Sequence, residues 1–160
     1  MKLCVDVQRV SCASEAPDES ELVHWASAAA AAVTSSPWET AELSLRVVDE
    51  AEGIELNHAY RGGSGATNVL SFPFEAGERT TPPLLGDVVV CAPVVRREAR
   101  EQGKSLRAHF AHMVVHGVLH LLGYSHDDDA EAAVMEDLER HVLAGVGFDD
   151  PYAMERDGAA

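Results

Sequence analysis

The feature that most restricts this chain is a run of histidines along one apolar helix. Six of its eight histidines lie between His109 and His141. Ser105 can cap a helix that starts near Leu106, and Gly123 can stop it near Leu122. At about 100° per residue, His109, His112, His116 and His120 share a stripe about 80° wide. Val114, Val118, Leu121 and Leu122 are left for the other faces. Such a helix is expected at the centre of the fold, with imidazoles along one side.

His116 and His120 are spaced i, i+4, which brings two imidazoles to one side one turn apart and suits two nitrogen ligands of one metal. Gly123 then breaks the helix, and the short turn Tyr124-Ser125 carries His126 back towards the same point. The pattern His116-x3-His120-x5-His126 offers three nitrogens and leaves a fourth position open, as in a catalytic zinc site. His109 lies about 10 Å along the axis from His116, too far to share its metal. His112 could pair with His116, but the turn after the glycine lies nearer His120. His109 and His112 are therefore read as packing residues or as residues standing behind the ligands. Metallopeptidases of this type carry a glutamate directly after the first histidine as general base. Here that position is Gly117, which argues against peptide hydrolysis.

The rest of the chain reads as β-α-β-α-β-β-α-α-α. Strands are expected over residues 2–10, 41–49, 69–74 and 87–91. Helices are expected over residues 17–33, 50–60, 93–102, 106–122 and 128–143. Strands come early and helices late, which predicts an α+β fold: a small mixed four-stranded sheet packed with about five helices. Residues 1–150 are expected to form a single hydrolase domain, and residues 151–160 a loose tail. Arg61-Gly62-Gly63-Ser64-Gly65-Ala66 is a glycine-rich loop that fits no P-loop pattern.

No stretch approaches the roughly 20 apolar residues of a membrane helix, and no secretory signal is visible, so a cytoplasmic location and no membrane partner are expected. Cys4, Cys12 and Cys91 form no CxxC pair and are read as buried free thiols. The formal net charge is −15, which disfavours a general affinity for nucleic acid. The charge is uneven. Arg96, Arg97, Arg100, Lys104 and Arg107 face only Glu98 and Glu101, whereas residues 127–160 carry eleven acids against Arg140 and Arg156. A local phosphate site is compatible with that distribution. Arg96, Arg97 and Arg100 are candidates for docking an RNA backbone, with a solvated helix face as the plainer alternative.

The stretch His112-Met-Val-Val-His116-Gly-Val-Leu-His120-Leu-Leu-Gly-Tyr-Ser-His126 resembles the signature of the YbeY family of endoribonucleases. Two further blocks occur in the family's order. One runs through Leu56-Asn57, Arg61-Gly62 and Thr67-Asn68-Val69-Leu70-Ser71-Phe72-Pro73, and the other is Leu85-Gly86-Asp87-Val88-Val89-Val90-Cys91. The resemblance implies one Zn2+ ion per chain on the three histidines and cleavage of single-stranded RNA rather than DNA. It also implies a part in maturing the 3′ end of small-subunit rRNA and in ribosome quality control, with ribosomal small-subunit proteins or assembly factors as partners. Arg61 is implied to be essential, and a bidentate hold on the scissile phosphate is the role expected of it; without the resemblance it would read as a loop-surface arginine. Two positions depart from the family pattern. Ser125 replaces an aspartate before the third histidine, and Gly63-Ser64-Gly65-Ala66 lacks the usual charged residue and proline, so this loop is expected to be more mobile. The alternatives are a metal-dependent peptidase or amidase, and a ribosome-assembly binding module whose metal is structural.

Overall fold

The structure is a computed structural model that describes residues 1–9, 16–34, 38–65, 67–74 and 83–153. The elements run β1 (Lys2–Arg9), α1 (Glu19–Ala32), β2 (Thr40–Val48), α2 (Glu50–Arg61), β3 (Val69–Pro73), β4 (Leu84–Cys91), α3 (Ala92–Gln102), α4 (Leu106–Leu121) and α5 (Asp129–Gly145). This is the expected α+β architecture. The sheet order is β1-β2-β4-β3. β1 runs parallel to β2 and β2 to β4, while β3 pairs antiparallel with β4.

Capping chemistry explains most of the helix starts. Asp18, Asp49, Ser105 and Asp128 each accept a hydrogen bond from the backbone N–H three residues on. That satisfies one of the donors a helix leaves open at its first turn. Gly62 and Gly103 close α2 and α3 in the left-handed conformation, with φ of 68° and 66°.

β4 begins at Leu84, three residues earlier than expected. Gly86 explains the difference. Its φ is 144°, and a side chain there would strike the Phe72 carbonyl oxygen. The absence of a side chain at Gly86 lets β3 and β4 pair as far as Pro73 and Gly86. Among the cysteines, Cys91 is buried and free as expected, whereas Cys4 is free but exposed. Cys4 lies on β1, an edge strand whose alternate residues face away from the core. Cys12 and the expected helix stop at Ser35-Ser36-Pro37 fall outside the described residues.

Two residues at the expected loose tail are packed. Pro151 is buried and Tyr152 half-buried, while residues 154–160 lie outside the described residues. Lys104 Nζ donates to the Pro151 carbonyl at 2.7 Å, and the Tyr152 N–H donates to Asp150 Oδ1 at 2.8 Å. The Asp150 contact is local, whereas the Lys104 anchor comes from 47 residues earlier in the chain and has no local signal.

α4 is the spine. It packs against α1, α3, α5, β3 and β4, and Phe110, Ala111, Val114, Val115, Val118 and Leu119 are fully buried. A helix that is apolar on nearly every side belongs in the interior. Gly117 marks its closest approach to the sheet. A Cβ at that position would lie 2.6 Å from Val88 Cγ1 and 3.3 Å from Val69 Cγ2. The Gly117 carbonyl accepts a hydrogen bond from Ser71 Oγ at 3.1 Å. Gly117→Ala is expected to lower stability by about 1–3 kcal/mol through overpacking, measured by urea unfolding. A variant as stable as wild type would show that α4 can move off the sheet. The same contact gives Gly117 a steric reason to be glycine, since a glutamate here would have to enter β4.

A second link holds α4 to α3 and β3. Glu98 Oε1 accepts from Asn68 Nδ2 at 3.0 Å and pairs with His109 Nε2 at 2.9 Å. His109 is buried, and its Nδ1 has no partner. A neutral ring with its proton on Nε2 satisfies both facts. Burial lowers the His109 pKa from its ordinary value of 6.5; the Glu98 hydrogen bond and charge oppose this, and the charges of His112 and Lys104 add to it. The folded protein therefore takes up this proton less readily than the unfolded chain. The stability that His109 contributes is present above about pH 6.5 and is lost as pH falls through its folded pKa. Denaturant titrations between pH 7.5 and 5 should show a shallower acid-side loss in His109→Gln than in wild type. Equal slopes would remove His109 from the acid response.

Candidate metal centre

Three of the histidines lie near one another where α4 ends. The helix gives way at Leu122, and Gly123 takes a φ of 103°. The Tyr124 N–H donates back to the Leu119 carbonyl at 3.1 Å, which folds the chain over the helix end. His126 is thereby returned to the histidine face. Its ring centroid lies 5.2 Å from that of His116 and 6.4 Å from that of His120.

The rings are oriented from behind. His120 Nδ1 lies 3.0 Å from the Tyr124 carbonyl, so it carries the proton and donates. His116 Nδ1 lies 3.3 Å from Glu139 Oε2 and is a donor for the same reason. In the neutral form of each ring Nε2 is then the bare nitrogen, the form that ligates a metal. Burial is the main cause holding the His120 pKa below 6.5; the Tyr124 hydrogen bond works the other way, and the charges of His116, Arg61 and His126 add to the depression. A low proton affinity keeps this nitrogen available to a cation at neutral pH.

Glu139 on α5 was not anticipated as a site residue. It is 1% exposed and, among the described residues, is the only buried carboxylate. Oε2 accepts from His112 Nε2 at 2.5 Å as well as from His116, and Oε1 accepts from the Tyr152 hydroxyl at 2.8 Å. Burial pushes the carboxyl pKa up, but the two histidine hydrogen bonds and charges outweigh it and hold the group at about 2. Burial and the charge of Glu139 push the Tyr152 pKa upward, which keeps its hydroxyl a donor. His112, His116 and Glu139 also form a group that could hold a metal ion, with one ligand atom of each lying within 4.8 Å of the others. His116 is thus common to the expected histidine triad and to this group. A sequence signal for Glu139 did exist. Met135, Glu139, Val142 and Leu143 form the buried stripe of α5, and a glutamate in register with that stripe calls for a buried partner.

Arg61 is the last residue of α2 rather than the first of the loop. It is exposed and lines a groove of about 670 Å³ together with Tyr60, Arg46, Ser71, Phe72 and Asp87. Tyr60 is 69% exposed, and its ring meets Phe72 edge-on with centroids 5.1 Å apart. Burial raises the Asp87 pKa, against the pull of Arg46. The glycine-rich loop that follows Arg61 is tied down: Asn57 Nδ2 donates to the Gly65 carbonyl at 2.6 Å.

Other side chains singled out in the sequence have partners within the fold. Ser125 donates to Glu131 Oε2 at 2.6 Å and accepts from the Asp127 N–H, so it braces the turn. Arg97 pairs with Glu50 at 3.3 Å, and Arg107 pairs with Glu21 and sits over Trp25 and Phe148. These cations of the basic stretch therefore bind the protein to itself. None of the helices among the described residues is long and apolar enough to cross a membrane.

Residues 9–147 match the sequence profile of the family described as Endoribonuclease YbeY. The Endoribonuclease YbeY of Xanthomonas oryzae pv. oryzae is 63% identical over 120 residues, spanning 72% of this chain and 74% of the relative. That of Xanthomonas axonopodis pv. citri is 64% identical over 119 residues, with the same coverage. The chain belongs to the YbeY endoribonuclease family. A solution structure of a Thermotoga maritima protein shares the fold, with a TM-score of 0.59, 22% identity, and coverage of 97% of this chain and 93% of that one.

Proposed function

We propose that the chain is a metal-dependent endoribonuclease that cleaves single-stranded RNA, with one zinc ion on His116, His120 and His126. The observation that carries this reading is the convergence of the three imidazoles where α4 ends, two of them with Nε2 left free. The residues suit zinc: three imidazoles, each able to supply one nitrogen ligand, leaving a fourth position for solvent or substrate. A metal held there supplies a Lewis acid for a phosphoryl oxygen and lowers the pKa of a bound water.

The protein's own groups do the rest. Arg61 offers a planar fork of donors to a phosphate, and its charge is felt at His120. The adjacent groove gives an extended strand a path, and the exposed ring of Tyr60 presents a face on which a base can stack. A net charge of −15 keeps unspecific RNA away, so recognition rests on this local site. The acidic C-terminal region suits docking to basic ribosomal small-subunit proteins or assembly factors. The natural substrate on this reading is the 3′ end of small-subunit rRNA, with a further role in ribosome quality control, in the cytoplasm.

The test compares wild type with His120→Ala on labelled single-stranded RNA, purified identically, with and without a chelator. Cleavage by wild type alone, lost with the chelator, is the expected result. Equal cleavage by both proteins would place the nuclease activity elsewhere. A metal-loaded wild type that binds ribosomal partners but never cuts would favour an assembly module with a structural metal.

A further inference from the structure

We infer that Glu139 is the positioning residue of the metal centre and that Tyr152 holds Glu139 in place, so that the segment after α5 is part of the site. This rests on the reading that His116 is a metal ligand.

A buried carboxylate is only an acceptor, and it needs its lone pairs filled. Glu139 fills them from three directions. His112 Nε2 and His116 Nδ1 donate to Oε2, and the Tyr152 hydroxyl donates to Oε1. The consequence for His116 is geometric. With Nδ1–H directed at Glu139, the neutral ring leaves its Nε2 bare, and the His126 ring stands 5.2 Å from it, centroid to centroid. A carboxylate behind a ligating histidine fixes the tautomer and ring angle and raises the basicity of the ligand nitrogen.

Tyr152 does not reach Glu139 by chance of a loose chain end. Asp150 Oδ1 accepts from the Tyr152 N–H at 2.8 Å and from Arg140 Nε at 3.3 Å. The Arg140 guanidinium stands 5.1 Å from the centre of the Tyr152 ring, and Lys104 holds the Pro151 carbonyl. A brace thus runs from α5 and the start of α4 through Tyr152 and Glu139 to His116.

The competing arrangement is a cation caged by His112, His116 and Glu139. Two atoms that each lie about 2.0–2.2 Å from one tetrahedral ion are about 3.3–3.6 Å apart. His112 Nε2 and Glu139 Oε2 are 2.5 Å apart, a hydrogen-bond distance. His112 Nδ1 is buried without a partner, as expected of a neutral ring that donates through Nε2. Glu139 therefore acts on the metal through His116.

The experiment uses the full chain stripped of metal. Zinc affinity is measured by competition with a chromophoric chelator, the visible spectrum of the cobalt-loaded protein reports ligand geometry, and a melt of the metal-free protein reports the fold. Glu139→Gln is expected to weaken zinc binding by about 10–100-fold and to change the cobalt spectrum. Tyr152→Phe is expected to weaken it by about tenfold, and His112→Gln to retain the metal. Wild-type affinity and spectrum in Glu139→Gln would overturn the inference. If that variant does not fold, unchanged values in Tyr152→Phe overturn it instead. Loss of metal in Glu139→Gln and His112→Gln but not in His120→Ala would place the ion in the cage, and would overturn the histidine triad as well.

Discussion

Replacing Arg61 by alanine is expected to leave zinc affinity at the wild-type level and to lower the rate of single-stranded RNA cleavage by about 10²–10³-fold. The size follows from what an oriented donor is worth to a charged transition state. The selectivity follows from position. Arg61 ends α2 and is exposed on the groove, outside the buried core. Its loss should therefore spare the fold. Arg61→Lys keeps the charge but not the fork, and should recover only part of the rate. Single-turnover cleavage alongside a zinc titration checks both halves. A fully active Arg61→Ala variant would mean that the phosphate is held by another group; one that loses zinc would mean that Arg61 supports the metal site.

Replacing Glu139 by alanine is expected to cost about 3–5 kcal/mol of stability in the metal-free protein, the range for removing one partner of a buried, charged hydrogen-bonded set. The loss has two sources. His112 Nε2–H and the Tyr152 hydroxyl both lose their carboxylate acceptor and keep only the weaker 3.3 Å contact with each other, and an unsatisfied buried donor costs about 1–3 kcal/mol. A cavity also opens between α4 and α5. Glu139→Gln keeps the volume and part of the bonding, so it should be much milder. Urea unfolding in the presence of chelator measures both variants. A cost below about 1 kcal/mol for the alanine variant would show that the rings find other partners or water.

The parts of this protein that could be read from its sequence are those decided within four or five residues. Asp18, Asp49, Ser105 and Asp128 cap helices through their own neighbours' N–H groups, and Gly103 ends α3 through its own backbone freedom. His116 and His120 face one way because a helix turns 3.6 residues at a time, and Gly123 returns His126 because it alone adopts the required φ there. The histidine cluster was therefore visible before any fold was known. What the tertiary structure decided involves residues far apart in the chain. Gly86 belongs to β4 because β3 lies against it, with the Phe72 carbonyl where a side chain would stand. Gly117 looked like an absent glutamate until Val88 was found where its side chain would stand. Glu139 lies 23 residues beyond His116 and Tyr152 lies 13 beyond Glu139, and no local rule links them. Their meeting depends on how α5 crosses α4 and on how the chain after α5 is held down. Packing sets both, and a buried carboxylate tells the sequence reader only that some partner must exist.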